Sequence, residues 1–171
     1  MYMGAASSPT RGLSIGGMTP SKLNIIEFIE LSTTGNAADF GDLSDTSSAG
    51  SACSNAVRAI YHHGSANADN GSNVLEYLTI ATLGNAADFG DLTTGRNSSA
   101  ACSSPTRAVF AGGGNPSPSP TTYENTIDYV QIMSTGNAVD FGDTDRTTGT
   151  GGNANEAGKM CGVSNGHGGL G

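Results

Sequence analysis

The chain has 171 residues, of which 36% are apolar and 13% charged, with 26 glycines and no tryptophan. That length suits one domain, and so much turn-forming material beside so little bulky core favours short strands over long helices. Fifteen acidic residues against seven basic ones give a net charge of −8, which disfavours nucleic acid as a partner. No apolar run is long enough to span a bilayer, and MYMGAASSPTRGLSIGG lacks the basic start and apolar stretch of a signal peptide, so no membrane span and folding in a cytoplasm are expected.

The chain reads as a single domain, 1–171, of three imperfect repeats at about 10–55, 56–104 and 105–164, followed by a glycine-rich tail. The segment GNAADFGDL begins at Gly35 and again at Gly84, and GNAVDFGDT begins at Gly136, roughly fifty residues apart. Each unit offers four strands. The first is TRGLSIGG, VRAIYHHG or TRAVFAGGG, an apolar run whose glycines mark an exit turn. The second is LNIIEFIEL, NVLEYLTIA or NTIDYVQIM, rich in β-branched and aromatic residues with acidic ones interleaved, which fits a half-buried strand. The third carries NAADFGDL. The fourth is the small-residue run GSACS or SAACS.

Within the signature, Gly41, Gly90 and Gly142 permit a bend or bulge, and Phe40, Phe89 and Phe141 are expected to anchor it in the core. Arg11, Arg58 and Arg107 recur once per unit and can pair with carboxylates. The Asp-Phe-Gly triplet matches a kinase magnesium motif in letters only, since neither a glycine-rich loop with its strand lysine nor an HRD loop accompanies it. The pairs Asp39 and Asp42, Asp88 and Asp91, and Asp140 and Asp143 suit turn capping and arginine pairing; calcium ligation by these six is the alternative. ANADNGSN, from Ala66 to Asn73, is loosely like a calcium loop but reads better as an ordinary Asn-Gly turn.

His62 and His63 are neighbours in an extended strand and so face opposite ways, which argues against a shared zinc. Cys53 and Cys102 occupy equivalent places and Cys161 is odd, so all three are expected as small apolar side chains without a disulfide. There is no GxSxG elbow, and no catalytic residue, cofactor or obligatory metal is expected. The unequal segments are the proline loop from Gly112 to Glu124, with Pro116, Pro118, Pro120 and Tyr123, and the stretch from Thr144 to Lys159. These are the candidate contact loops.

Four strands per unit of this length match a β-propeller blade. Strand, Gly-Gly and aromatic strand resemble degenerate kelch repeats, and TIDYVQIMSTGNAVDFGD is similar to repeats in structural proteins of tailed phages infecting marine cyanobacteria, over about Thr10 to Cys161. The resemblance implies an all-β, propeller-like fold and a non-enzymatic virion protein: a capsid decoration or knob, or a tail-fibre component, made in the host cytoplasm. Its partners would be capsid or tail proteins of the same particle. The blades lack a tryptophan, and three are fewer than the roughly four to eight of ordinary propellers, so either closure differs or further subunits supply blades as a homo-oligomer. A pseudo-threefold β-trefoil or β-prism also fits twelve strands. A carbohydrate-binding module, with cell-surface glycans stacked on Tyr61, Tyr77, Tyr123 or Tyr129, and a subunit of an extracellular fibre are the alternative functions.

Overall fold

The computed structural model describes residues 3–66, 71–115, 122–145, 149–150 and 162. It is all-β among these residues. The strands are β1 (Gly4–Ser7), β2 (Arg11–Ile15), β3 (Leu23–Glu30), β4 (Ala38–Ser48), β5 (Ser51–Ser54), β6 (Arg58–His62), β7 (Ser65–Ala66), β8 (Ser72–Thr79) and β9 (Ala87–Arg96). There follow β10 (Ala100–Ser103), β11 (Arg107–Ala111), β12 (Gly114–Asn115), β13 (Thr122–Tyr123), β14 (Thr126–Gln131), β15 (Val139–Asp143) and β16 (Gly149–Thr150).

Three antiparallel meanders carry the fold. Sheet I runs β1-β2-β3-β4, with the short β7 added to the far end of β4; sheet II runs β5-β6-β8-β9; sheet III runs β10-β11-β14-β15. The strand order corrects one expectation. GSACS and SAACS do not close their own units: Ser51–Ser54 pairs with Arg58–His62 and Ala100–Ser103 with Arg107–Ala111, so each opens the next sheet. The three opening strands lie side by side: Ser54 Oγ donates to Ser7 O at 2.7 Å, and Ser103 Oγ donates to Ser54 O at 2.7 Å. Serine and alanine suit these strands because the backbones approach closely there.

The second strand of each unit is the centre of its sheet's hydrogen bonding, and its third strand carries a bulge. Ile26 pairs with Gly41 and Glu27 with Asp39, leaving Phe40 as the extra residue; Leu75 with Gly90 and Glu76 with Asp88 do the same around Phe89, and Ile127 with Gly142 and Asp128 with Asp140 around Phe141. Gly41, Gly90 and Gly142 take φ of 148°, 139° and 132°, the left-handed side of backbone space that glycine adopts freely. A two-for-one bulge bends the strand and aims the phenylalanine out of its own sheet.

Two apolar cores result, each between successive sheets. Leu13, Ile15, Ile26, Phe40 and Leu43 of sheet I meet Ala59, Tyr61, Leu78 and Ile80 of sheet II. Cys53, Ile60, Leu75, Phe89 and Leu92 of sheet II meet Ala101, Ala108, Phe110, Val130 and Ile132 of sheet III. Sheet II is therefore covered on both faces, and β6 is buried almost throughout. In β3 of sheet I only one side of the alternation is covered.

Phe40 and Phe89 sit in these cores, 3% and 2% exposed, whereas Phe141 is 56% exposed. The third phenylalanine is thus not a core residue of the chain. It has the same bulge, but no further four-stranded meander succeeds sheet III among the described residues; the remaining strands form a small sheet, β12-β13-β16.

Candidate functional site

The repeated signature is a clasp between sheets. Its GNA half binds the DFGD half of the preceding copy. Gly84 N–H donates to Phe40 O at 2.9 Å, Ala86 N–H donates to Asp42 O at 2.8 Å, and the Asp42 N–H donates to Asn85 Oδ1 at 3.0 Å. Between sheets II and III the set recurs: Gly136 N–H to Phe89 O at 2.7 Å, Ala138 N–H to Asp91 O at 2.7 Å, and Asp91 N–H to Asn137 Oδ1 at 3.1 Å. A Cβ on Gly41 would collide with Gly84, and one on Gly90 with Gly136. Glycine is needed there for backbone approach as well as for its φ.

The arginines belong to the same clasp. Arg11 lies 4.8 Å over the Phe28 ring and donates through Nη1 to Ile80 O at 2.9 Å; Arg58 lies 4.1 Å over Tyr77 and donates to Ile132 O at 3.1 Å. Stacking orients the planar guanidinium toward a carbonyl of the next sheet. Arg107 stacks on Tyr129 at 5.0 Å but is exposed. These contacts replace the expected pairing of arginines with the repeated aspartates. The carboxylate bound to Arg11 is Glu30, at 2.8 Å.

The aspartates act through their backbones or at the turn. Asp39, Asp42, Asp88, Asp140 and Asp143 are exposed and Asp91 is half-buried. Asp140 Oδ1 accepts from Gly142 N–H at 2.9 Å, the turn-capping role. Among the described residues no three His, Cys, Asp or Glu side chains gather as a metal-ion site.

Charge is instead buried at one equivalent place in sheets II and III, where the sequence pattern predicts none. Glu76 on β8 receives His63 Nε2 at 2.8 Å and the Ser44 N–H of sheet I at 3.2 Å. Burial alone would raise its carboxyl, but the hydrogen bonds from His63 and Ser44 outweigh that and hold it below the ordinary value. Asp128 on β14 receives Arg96 Nη2 of sheet II at 2.8 Å, Thr93 Oγ1 at 2.7 Å and Thr93 N–H at 3.3 Å. Burial lowers the Arg96 guanidinium and the Asp128 charge opposes that. The available signal was an acidic residue inside the apolar runs VLEYL and TIDYV.

His62 and His63 do face opposite ways, and both are buried. His62 Nε2 donates to Ser72 O at 2.8 Å, so its Nδ1, 3.0 Å from Ser99 Oγ, accepts from that hydroxyl. Burial pushes its pKa down from 6.5 to about 3, the Ser72 carbonyl opposing and Arg96 and His63 adding to the fall. The ring is neutral. Cys53 is buried, with its thiol pushed up to about 12 by burial and by Cys102, and no disulfide joins them. Such a thiol is unreactive at neutral pH. Cys161 lies outside the described residues.

Of the contact-loop residues, Pro116, Pro118 and Pro120 also lie outside the described residues. Tyr123 is on a strand, pairing with Gly114 across the ladder from β12 to β13, and is half-buried. For glycan stacking, Tyr61 is ruled out as a free platform: it is buried, and its hydroxyl lies 2.9 Å from Ser47 Oγ. Tyr77 and Tyr129 are each covered by an arginine. A cavity of about 200 Å³ lies between the opening strands, lined by Ala5, Ser7, Ala52, Ser54, Ala101 and Gly162 among others. Ser7 and Ser54 already bond one another there.

No family model matches the sequence, and no curated protein matches it. A solved structure titled "Structure of YjhT" superposes on 85% of this chain and 53% of that chain, with a TM-score of 0.68 and 8% identity. At that identity the likeness concerns the fold. The chain spans about half the length of that neighbour. Among the described residues no helix is long and apolar enough to cross a membrane.

Proposed function

We propose that the chain is a non-enzymatic structural component of a bacteriophage particle, a capsid decoration or knob or a piece of a tail fibre, built as an arc of three kelch-like propeller blades. The observation that carries this reading is the use made of the repeated residues. At the two junctions between successive sheets, the recurring glycines, phenylalanines, arginines and GNA segments hold one sheet to the next, as a scaffold requires. The similarity of TIDYVQIMSTGNAVDFGD to phage structural repeats supplies the setting.

The propeller reading is favoured over a trefoil or prism by four-stranded meanders stacked in chain order with their opening strands gathered along one line. In a propeller those strands line the axis. The partners are then capsid or tail proteins, met by loops or strand edges. Mass spectrometry of gradient-purified particles tests the assignment: the protein should co-purify at a stoichiometric level. Recovery from the soluble host fraction with none in particles would overturn it.

A further inference from the structure

The two outer sheets carry the two halves of the clasp, each without its counterpart among the described residues. On sheet III, Phe141 projects from its bulge at 56% exposure beside Val139 at 55%, and Arg107 is stacked and exposed. Gly142 has the backbone of Gly41 and Gly90, but nothing stands within 4 Å of where its Cβ would be. On sheet I, Gly35, Asn36 and Ala37 occupy the places of Gly84, Asn85 and Ala86, and all three are exposed. Leu31 occupies the place of Ile80, whose carbonyl receives Arg11. It is 52% exposed.

Sheet I also carries a seat for a phenylalanine. A cavity of about 360 Å³ opens on its outer face, lined by Ala5, Gly12, Ile29 and Ala37 among others. These stand where Ala52, Ala59, Leu78 and Ala86 stand in sheet II, in the core that holds Phe40. The lining is mostly apolar, with Ser7, Ser14 and Glu27 as its polar members, and Glu27 stands where Glu76 stands in sheet II; Ile25, Ile29 and Leu31 around it are exposed. Exposed apolar surface of this kind marks an interaction face.

From this complementarity we propose that sheet III of one copy docks on sheet I of a second copy, head to tail, so that two copies close a ring of six sheets. Phe141 enters the seat on the second copy, Arg107 reaches its Leu31 carbonyl, and its Gly35 and Ala37 N–H groups bind the Phe141 and Asp143 carbonyls. Contact between unlike faces closes only if the rotation between subunits completes a circle; otherwise it propagates as a filament. Two copies are the smallest number that brings three sheets per chain into the roughly four to eight blades of a closed propeller. The inference stands on the interface geometry and does not depend on a place in a particle.

Two charge insertions test it, one per face, Ile29→Lys and Phe141→Lys, both at exposed positions. Sedimentation at about 0.1 mM, where a micromolar contact is saturated, should give the unaltered chain twice its mass of 17.1 kDa. Each variant alone should sediment as one chain, with an unchanged β-type circular dichroism spectrum. An equimolar mixture of the two should recover a two-chain species, because one intact head and one intact tail remain. A single-chain mass for the unaltered protein overturns the proposal. So does a dimer sensitive to only one variant, which would mean like faces meet, or a mixture that stays monomeric. Should Phe141→Lys fail to fold, Arg107→Glu probes the same face.

Discussion

The junction of sheets I and II and the junction of sheets II and III are built from the same clasp but bury different charges. At the first, Glu76 is met by a histidine of its own sheet; at the second, Asp128 is met by an arginine reaching across from the preceding sheet. The clasp is therefore the invariant device, and the buried pair is where each junction is individual. A cross-sheet pair between groups with no exposure ties assembly of sheet III on sheet II to one side chain, Arg96.

The largest difference should come from breaking that pair. Arg96→Met leaves the Asp128 carboxylate buried without its cation and is expected to cost about 3–5 kcal/mol, read from urea unfolding midpoints. Adding Asp128→Leu should recover most of the loss, since two apolar groups need no compensation. At the other junction Glu76→Gln keeps an acceptor for the Ser44 N–H and is expected to cost only about 1 kcal/mol. Equal losses from Arg96→Met and Glu76→Gln would erase the distinction between the junctions.

Acid should separate them next. His62 belongs to the second junction, beside Phe110 at 6.1 Å, and its pKa is lowered from 6.5 to about 3. Between those values the unfolded chain takes a proton that the folded chain refuses, so stability falls as pH falls, by more than about 1 kcal/mol per pH unit at the steepest. The Glu76 carboxyl, held low, contributes stability that is present above its ordinary value of 4.5 and is lost as pH falls through its folded value. The two losses have the same sign and overlap below pH 4.5, and of the two only that of His62 extends above it. His62→Gln should flatten the fall from pH 6.5 to 4.5 and leave the lower one; an unchanged slope in that window would assign the upper loss to another group.

Much of this architecture was legible because the repeat writes it three times. The four strands per unit, the glycine bulge and the phenylalanine anchor come from spacing and residue type. The placement of Phe141 did not, because a repeated residue has the same local geometry at a chain's end as in its middle, and only the neighbouring sheet decides burial. The same limit hides the partner of the SACS strand: alanine and serine pair equally well with the strand before them and the strand after. Arg96 was invisible for the opposite reason. It breaks the repeat, standing where sheet I has Ser47, and a lone arginine at the end of a strand reads as surface until its partner on β14 is seen.

The smallest effect sharpens the meaning of the signature itself. Asn85 and Asn137 each accept one backbone N–H from the preceding sheet, and a hydrogen bond at a partly solvated junction contributes about 1 kcal/mol. Asn85→Ala and Asn137→Ala should each cost about that much. Asn36 has the same neighbours in sequence but no preceding sheet among the described residues of its own chain, so Asn36→Ala should cost nothing measurable in the Ile29→Lys background, where docking between copies is removed. If Asn36→Ala costs as much as the other two, the asparagine acts within its own turn and the clasp is made by Gly and Ala alone. If the three split two to one, the asparagine is conditional on the sheet that stands before it, and the same residue in a docked pair of copies should regain its value.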